Sequence, residues 1–351
     1  PMDSLTQVTL GAAVGVATMG RRTAAWKAAL WGGVAGTLPD LDVFVDHGDP
    51  ILNMVLHRAE THAPSWLTLF SLPFAALVAR IQGEWHQWRR WWLALWLVLV
   101  THPLLDAMTV YGTQLALPWS DRPHGVGSIF IIDPLYTLPL LAGVVAVLLA
   151  RGSRRGHATN AACLVLSCAY LAWSVAAQHH VERLARAELA RQGIEAQRLL
   201  VTPTAFNTVL WRIVAMEAGG DYHEGYRSLL DEGPRIAFRR FDGGAALAPE
   251  MMAIDGVRRI AAFSRGFYRL GERAGRLRVT DLRMGYEPYY TFNFVVAERR
   301  SAMRVLPRSV HESERGDVRE LLGWTWRRLR GERQPERSQR PPATSTIEPV
   351  T

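Results

Sequence analysis

Six apolar runs crowd the first half of this chain, at about residues 4–20, 24–39, 64–82, 91–110, 134–150 and 158–178. Runs of this length are long enough to be considered membrane helices. The first two are short and rich in Gly and Ala, and Gly11, Gly15, Gly32, Gly33 and Gly36 permit close helix packing there. From about Glu182 the sequence changes to an ordinary, charge-rich mixture, so the mean hydropathy of +0.01 averages two unlike halves. The expected fold is mainly α: a multi-helix integral membrane domain over 1–180, then a small soluble α+β domain with an antiparallel sheet over 181–310. A basic segment and a Pro-, Ser-, Thr- and Arg-rich tail fill 311–351.

Within the second half, 180–200 reads as helical. The stretches 208–215, 236–241 and 289–296 read as strands separated by Gly/Asp turns. Residues 315–333, with Trp324 and Trp326, read as a basic segment lying on a membrane surface. The net charge of +8 sits largely in short loops between apolar runs and in the tail, which is membrane-protein usage, and no nucleic-acid partner is expected. Cys163 and Cys168 share one apolar run, where a disulfide is geometrically poor, so both are expected to be packing residues. The first run has neither a basic leader nor a clear cleavage site, and no cleavable signal peptide is expected.

Charge in the connecting loops alternates. Arg21, Arg22 and Lys27, then Arg80, Arg89 and Arg90, then Arg151, Arg154 and Arg155 occupy every second loop. The positive-inside rule places those loops in the cytoplasm. The intervening loops, which hold Asp and His, then fall on the extracytoplasmic side of an inner membrane, and so does everything after the sixth run.

Three motifs on that opposite side carry the chemistry: Pro39-Asp-Leu-Asp42, His57-Arg-Ala-Glu-Thr-His62 and His102-Pro-Leu-Leu-Asp106. Acids and imidazoles beside a bilayer are costly unless they pair, face water or bind a cation. His102 and Asp106 are four apart, on one helix face, with Pro103 expected in the first turn of a new or kinked helix. His57 and His62 are five apart and need a turn to converge. Asp40, Asp42, His57, His62, His102 and Asp106 are the candidate metal ligands. With no Cys pattern, mixed N/O donors favour zinc first and manganese second. Arg58 is the candidate catalytic anion clamp. Asp46, His47, Asp49, Asp121, His124 and Asp133 are weaker candidates, and Thr109, Tyr111 and Gly112 are candidate lining residues.

These motifs, in this order, resemble the YdjM-type inner-membrane putative metal-dependent hydrolases over residues 2–180. The resemblance rests on Met2–Gln7 with its Gly/Ala run, Gly36–Asp42, His57–His62 and Thr101–Thr109 followed by Tyr111-Gly112. Thr202–Thr208 and Phe263–Tyr268 resemble the long subgroup of that family. Ala59 and Ala63 stand where the family often has Gly and Ser, and Gln7 where some members carry His. More distantly, the motif order is similar to that of zinc-dependent phospholipase C and related nucleases, which implies phosphoester hydrolysis.

The reading is a membrane-bound metal-dependent hydrolase in which a metal-activated water attacks a phosphoester or lipid-linked substrate. Membrane lipids are the expected partners, and the sequence names no protein partner. The alternatives are a structural or regulatory membrane protein with a non-catalytic His/Asp network, or a metal-ion transporter. The apolar runs carry few polar residues toward the cytoplasmic side, which argues against a transporter.

Overall fold

The computed structural model describes residues 4–312 and 317–332. Each apolar run is a helix: α1 (Ser4–Met19), α2 (Ala25–Thr37), α4 (Pro64–Ile81), α5 (Trp88–Asp106), α6 (Pro134–Leu149) and α7 (Arg154–Arg191). A short amphiphilic helix, α3 (Pro50–Leu56), lies between the second and third runs. Asp49 starts α3 by accepting from the Ile51 and Leu52 amides, with Pro50 following where a proline costs nothing.

The bundle is assembled around α1. Its backbone lies almost against that of α2, because a Cβ on Gly11 would sit 2.2 Å from the Gly32 carbonyl oxygen and one on Gly32 would sit 2.3 Å from that of Gly11. Only glycine permits such an approach. The small-residue seam and the Ala, Val and Leu around it, with Trp91, Leu95 and Leu99 of α5 and Leu140 of α6, form one buried cluster. The outer faces are different. Leu69, Phe70 and Leu77 of α4, Leu138 of α6 and Val165 of α7 are all exposed. Contiguous apolar surface on a bundle's outside calls for a non-aqueous neighbour. By length and composition two of the described helices, Pro64–Ile81 and Arg154–Arg191, are sufficient to cross a bilayer, and most of each apolar stretch faces outward. Those two helices alone are weak evidence of a membrane domain.

Two sequence expectations change here. Pro103 neither starts nor breaks a helix; it lies within α5, which continues through Asp106. Its missing N–H removes one hydrogen bond only a turn from the helix end, where the cost is small. The helix predicted for 180–200 stops at Arg191, with Gly193 at φ 70° beyond it, and a strand begins at Ala196. Upstream, α7 is continuous through residue 180.

The second half holds two antiparallel four-stranded sheets. The first is β1 (Ala196–Pro203), β2 (Leu210–Glu217), β3 (Tyr222–Ser228) and β4 (Phe238–Phe241), paired in that order. Helices α8 (Ala248–Met251) and α9 (Asp255–Phe263) follow. The second sheet comprises β5 (Tyr268–Arg273), β6 (Arg276–Asp281), β9 (Asn293–Arg299) and β10 (Met303–His311), in the order β10-β9-β6-β5. The small hairpin of β7 (Gly285–Tyr286) and β8 (Tyr289–Tyr290) interrupts it. Helix α10 (Val318–Leu329) completes the described chain and coincides with the predicted basic segment. It is held by Arg328, which pairs with Asp231 and donates to the Tyr226 carbonyl. The tail expected to be disordered, 334–351, lies outside the described residues.

The sheet-rich half packs on the helical half along α7, where Ala177, Val181 and Ala185 meet Val201, Trp211 and Ile213, and again beside the motifs. Ile51 and Met54 of α3 and Tyr111 are buried in the same cluster as Val257, Ile260 and Phe263 of α9 and Phe294 of β9. Arg283, fully buried and paired with Asp281 at 2.6 Å, donates to the Tyr111 carbonyl at 2.8 Å. Asp49 accepts from the Ser309 amide and hydroxyl. These contacts fix the loops that carry the three motifs.

Candidate metal centre

Each motif reaches the centre from a helix end. Pro39 opens a tight 3-10 turn, Pro39–Phe44, directly after α2, which turns Asp40 inward. Arg58 adopts a left-handed backbone (φ 65°), and that kink with the following turn Glu60–His62 folds the five-residue His57–His62 spacing back on itself. The two rings end with centroids 5.9 Å apart. His102 and Asp106 project from successive turns of α5 onto one face.

Four donor atoms meet. His62 Nε2 lies 3.2 Å from His102 Nε2, 3.3 Å from Asp106 Oδ2 and 3.4 Å from Asp40 Oδ1. His102 Nε2 lies 3.5 Å from Asp40 Oδ1 and 3.6 Å from Asp106 Oδ2. A tetrahedral ion with metal–N/O bonds of 2.0–2.2 Å requires donor–donor separations of about 3.4 Å. The five distances scatter around that value. All four residues are buried, Asp106 and His62 completely.

Hydrogen bonding decides which atoms face inward. The Gly36 carbonyl oxygen accepts from His102 Nδ1 at 2.7 Å, which puts the ring proton there and leaves Nε2 bare. The Thr61 hydroxyl donates to Asp42 Oδ2 at 2.9 Å, so its oxygen accepts from His62 Nδ1 at 2.9 Å. His62 Nε2 is therefore bare as well. Both Asp40 oxygens and Asp106 Oδ2 have no hydrogen-bond partner. Two imidazole nitrogens and two carboxylate oxygens packed together away from water call for positive charge, and Arg58 reaches only Asp106. The donor set therefore fits a divalent ion of the His/carboxylate type.

Neighbours hold this set in place. Gln7 Nε2 donates to Asp106 Oδ1 at 2.9 Å, leaving the other oxygen for the centre. Arg58, 2% exposed, brings Nε within 3.0 Å of Asp106 Oδ2, donates from Nη1 to Thr109 and lies over the Tyr111 ring. The expected anion clamp is thus already engaged with a ligand carboxylate.

Asp42 and His57 form a second, adjoining pair. Asp42 Oδ1 lies 2.9 Å from His57 Nδ1, and Oδ2 accepts from the Arg58 amide at 3.0 Å. Burial raises the Asp42 carboxyl, yet the contact with His57 leads the effects that bring it down to about 2. His57 Nε2 is buried without a partner. Donor atoms of Asp40, Asp42 and His57 lie within 4.8 Å of one another, as do those of Asp40, His62, His102 and Asp106. The six candidate ligands therefore divide into a tetrad and a dyad joined at Asp40.

The weaker candidates are placed elsewhere. Asp46 is exposed, Asp49 and Asp133 cap α3 and α6, and His124 pairs through its backbone with Thr113. Tyr111 donates its hydroxyl to the Met54 carbonyl. Burial pushes that phenol well above its ordinary value, and it stays neutral. Sequence reasoning missed Thr61 and the Gly36 carbonyl. Thr61 was visible as the residue beside His62, whereas the Gly36 carbonyl carried no side-chain signal.

Residues 2–181 match the YdjM inner membrane protein family. The uncharacterized protein YfhP of Bacillus subtilis (strain 168) is similar, 26% identical over 245 residues, which are 67% of this chain and 72% of its own. No solved structure matches the chain. The matched region contains all four residues of the tetrad and both of the dyad, and this chain belongs to the YdjM inner membrane protein family.

Proposed function

We propose that the chain is a membrane-bound, metal-dependent hydrolase whose ion is held by Asp40, His62, His102 and Asp106. The observation that carries this reading is the convergence of two imidazole nitrogens and two carboxylate oxygens, all buried, at tetrahedral spacing. Zinc is the first choice for such a donor set and manganese the second. Bound there, a divalent cation supplies a Lewis acid and an acidified water.

The chain's own residues divide the remaining work. His102 and His62 present their bare Nε2 atoms because Gly36 and Thr61 take the other ring nitrogens. Gln7 and Arg58 orient Asp106, and Arg58 also offsets its buried charge. Asp42 holds the His57 ring so that an unpartnered Nε2 is available to accept a proton beside the centre. The six helices form an inner-membrane domain, with apolar outer faces toward lipid and the three motifs on the extracytoplasmic side. A site at that surface suits a lipid-linked phosphoester.

The test is hydrolysis of a soluble phosphodiester, bis(p-nitrophenyl) phosphate, by detergent-purified protein loaded with zinc or manganese. His57→Ala is expected to keep its metal and lose on the order of 10²–10⁴-fold in rate. Loss of a metal equivalent in His57→Ala would make His57 a ligand instead. No hydrolysis by metal-loaded protein of this phosphodiester or of short-chain phospholipids would favour a non-catalytic His/Asp network.

A further inference from the structure

A cavity of about 720 Å³ opens between the two sheets, and three arginines from three distant parts of the sequence line it: Arg122, Arg198 and Arg265. They are contiguous. Arg198 lies flat over Gly266, its Cζ 2.9 Å from where a Cβ would be, so it sits beside Arg265. Arg265 in turn is close enough to Arg122 and Arg283 for their charges, together with burial, to lower its pKa. Among the described residues no carboxylate lies within ion-pair distance of Arg122, Arg198 or Arg265. Glu217, the acid at the rim, is engaged by His223 at 2.5 Å and Arg240 at 3.3 Å.

The local backbone is shaped for this arrangement. After α9 the chain places Arg265 at φ 56° and Gly266 at φ 83°. A left-handed arginine is costly, and it persists only where the surroundings fix it. Here the Arg265 Nη2 donates to the Gly125 carbonyl at 3.1 Å, while Gly266 leaves room for Arg198. Met216, Ala248, Ala261 and Leu270 also line the cavity and supply its apolar surface. This is the Phe263–Tyr268 motif that stood out in the sequence and that the metal centre does not use.

We propose that this cavity binds a phosphate-bearing amphiphile, its phosphate on the three guanidinium groups and its apolar part on the Met216 wall. Three guanidiniums with no ion-pair partner among the described residues match a dianion better than a single carboxylate, because planar N–H forks pair two at a time with phosphate oxygens. The volume is several times that of a phosphate ion and lies in the range of sites for small organic molecules. The site is separate from the tetrad and does not depend on the hydrolase reading.

The test is calorimetric titration of the full, detergent-purified chain with inorganic phosphate, glycerol 3-phosphate and dihexanoylphosphatidic acid, all in EDTA. The expected result is saturable binding that strengthens from phosphate to dihexanoylphosphatidic acid. Arg198→Gln is expected to weaken it at least about tenfold, or 1.4 kcal/mol. Arg265→Gln should do the same, and Arg183→Gln on the exposed face of α7 should not. Arg198 is exposed and bonds to no other side chain among the described residues, so its variant keeps the fold if Arg265→Gln does not. Equal binding of glycerol 3-phosphate and the lipid would assign the site to a water-soluble phosphate. Binding that disappears in EDTA, that Arg198→Gln leaves intact, or that is absent for all three probes would overturn the proposal.

Discussion

Gly36→Ala should loosen the metal although no ligand changes. A Cβ at Gly36 would lie 2.5 Å from the Gln7 carbonyl oxygen and 3.3 Å from the Gly11 Cα, both backbone atoms that cannot swing away. Ordinary contact needs about 3.4 Å or more between such atoms, so α1 and α2 must separate by roughly the difference. Overpacking of this kind costs about 1–3 kcal/mol. The displaced residue is the one whose carbonyl holds His102 Nδ1 at 2.7 Å, and Gln7, which holds Asp106, is on the other side of the same contact. Losing such an outer partner costs about 10–100-fold in metal affinity. The control is Gly33→Ala, three residues earlier on α2 and farther from the site. Its Cβ would meet Val8 Cγ1 at 3.3 Å, a side chain able to rotate. Competition with a chromogenic chelator should give weakened zinc binding for Gly36→Ala and near-native binding for Gly33→Ala. Equal affinities in both variants would refute the argument that the helix seam positions the centre.

Two further outcomes follow from buried charges. Arg58→Met leaves the wholly buried Asp106 carboxylate without its guanidinium, so the metal-free protein should lose about 3–5 kcal/mol of unfolding free energy, measured by denaturant titration. Added zinc should recover part of the loss, since the ion supplies positive charge to the same oxygen. Asp231 gives a pH dependence: burial raises its carboxyl, but Arg328 and the Ser228 amide hold it below the ordinary value. A depressed carboxyl contributes stability that is complete above its unfolded pKa of about 3.9 and is lost as pH falls through the lower folded value. Hydrogen-exchange protection across 318–329, corrected for the intrinsic rate at each pH, should therefore hold from neutral pH to about 5 and fall in more acidic solution, and Asp231→Asn should remove that pH response.

The helices were legible because apolar runs leave little choice. All six expected runs are helices, most ends displaced by a few residues where caps decide the boundary, as at Ser153, whose hydroxyl accepts from the Gly156 amide; the sixth continues to Arg191, well past its apolar stretch. The clustered acids and imidazoles stood out because such residues between apolar runs have few other uses. Their division into a tetrad and a dyad was not, since it depends on the turn at Pro39–Phe44 and the left-handed Arg58, neither of which has a side-chain pattern. The Ala196–Pro203 strand was hidden by the Arg/Glu/Ala/Leu pattern of α7 running up to it. The arginine cavity could not be read at all, because residues 122, 198 and 265 come from a loop of the helical half, a strand and the turn after α9, brought together only by tertiary packing.

The most direct measurement of the central claim is metal content by elemental mass spectrometry on detergent-purified protein given zinc and manganese during purification. Wild type should hold about one equivalent per chain, as one tetrahedral site requires. Asp106→Asn and His102→Gln, with helical content unchanged by circular dichroism, should hold none. A metal-free wild type, or variants that keep the ion, would contradict the account.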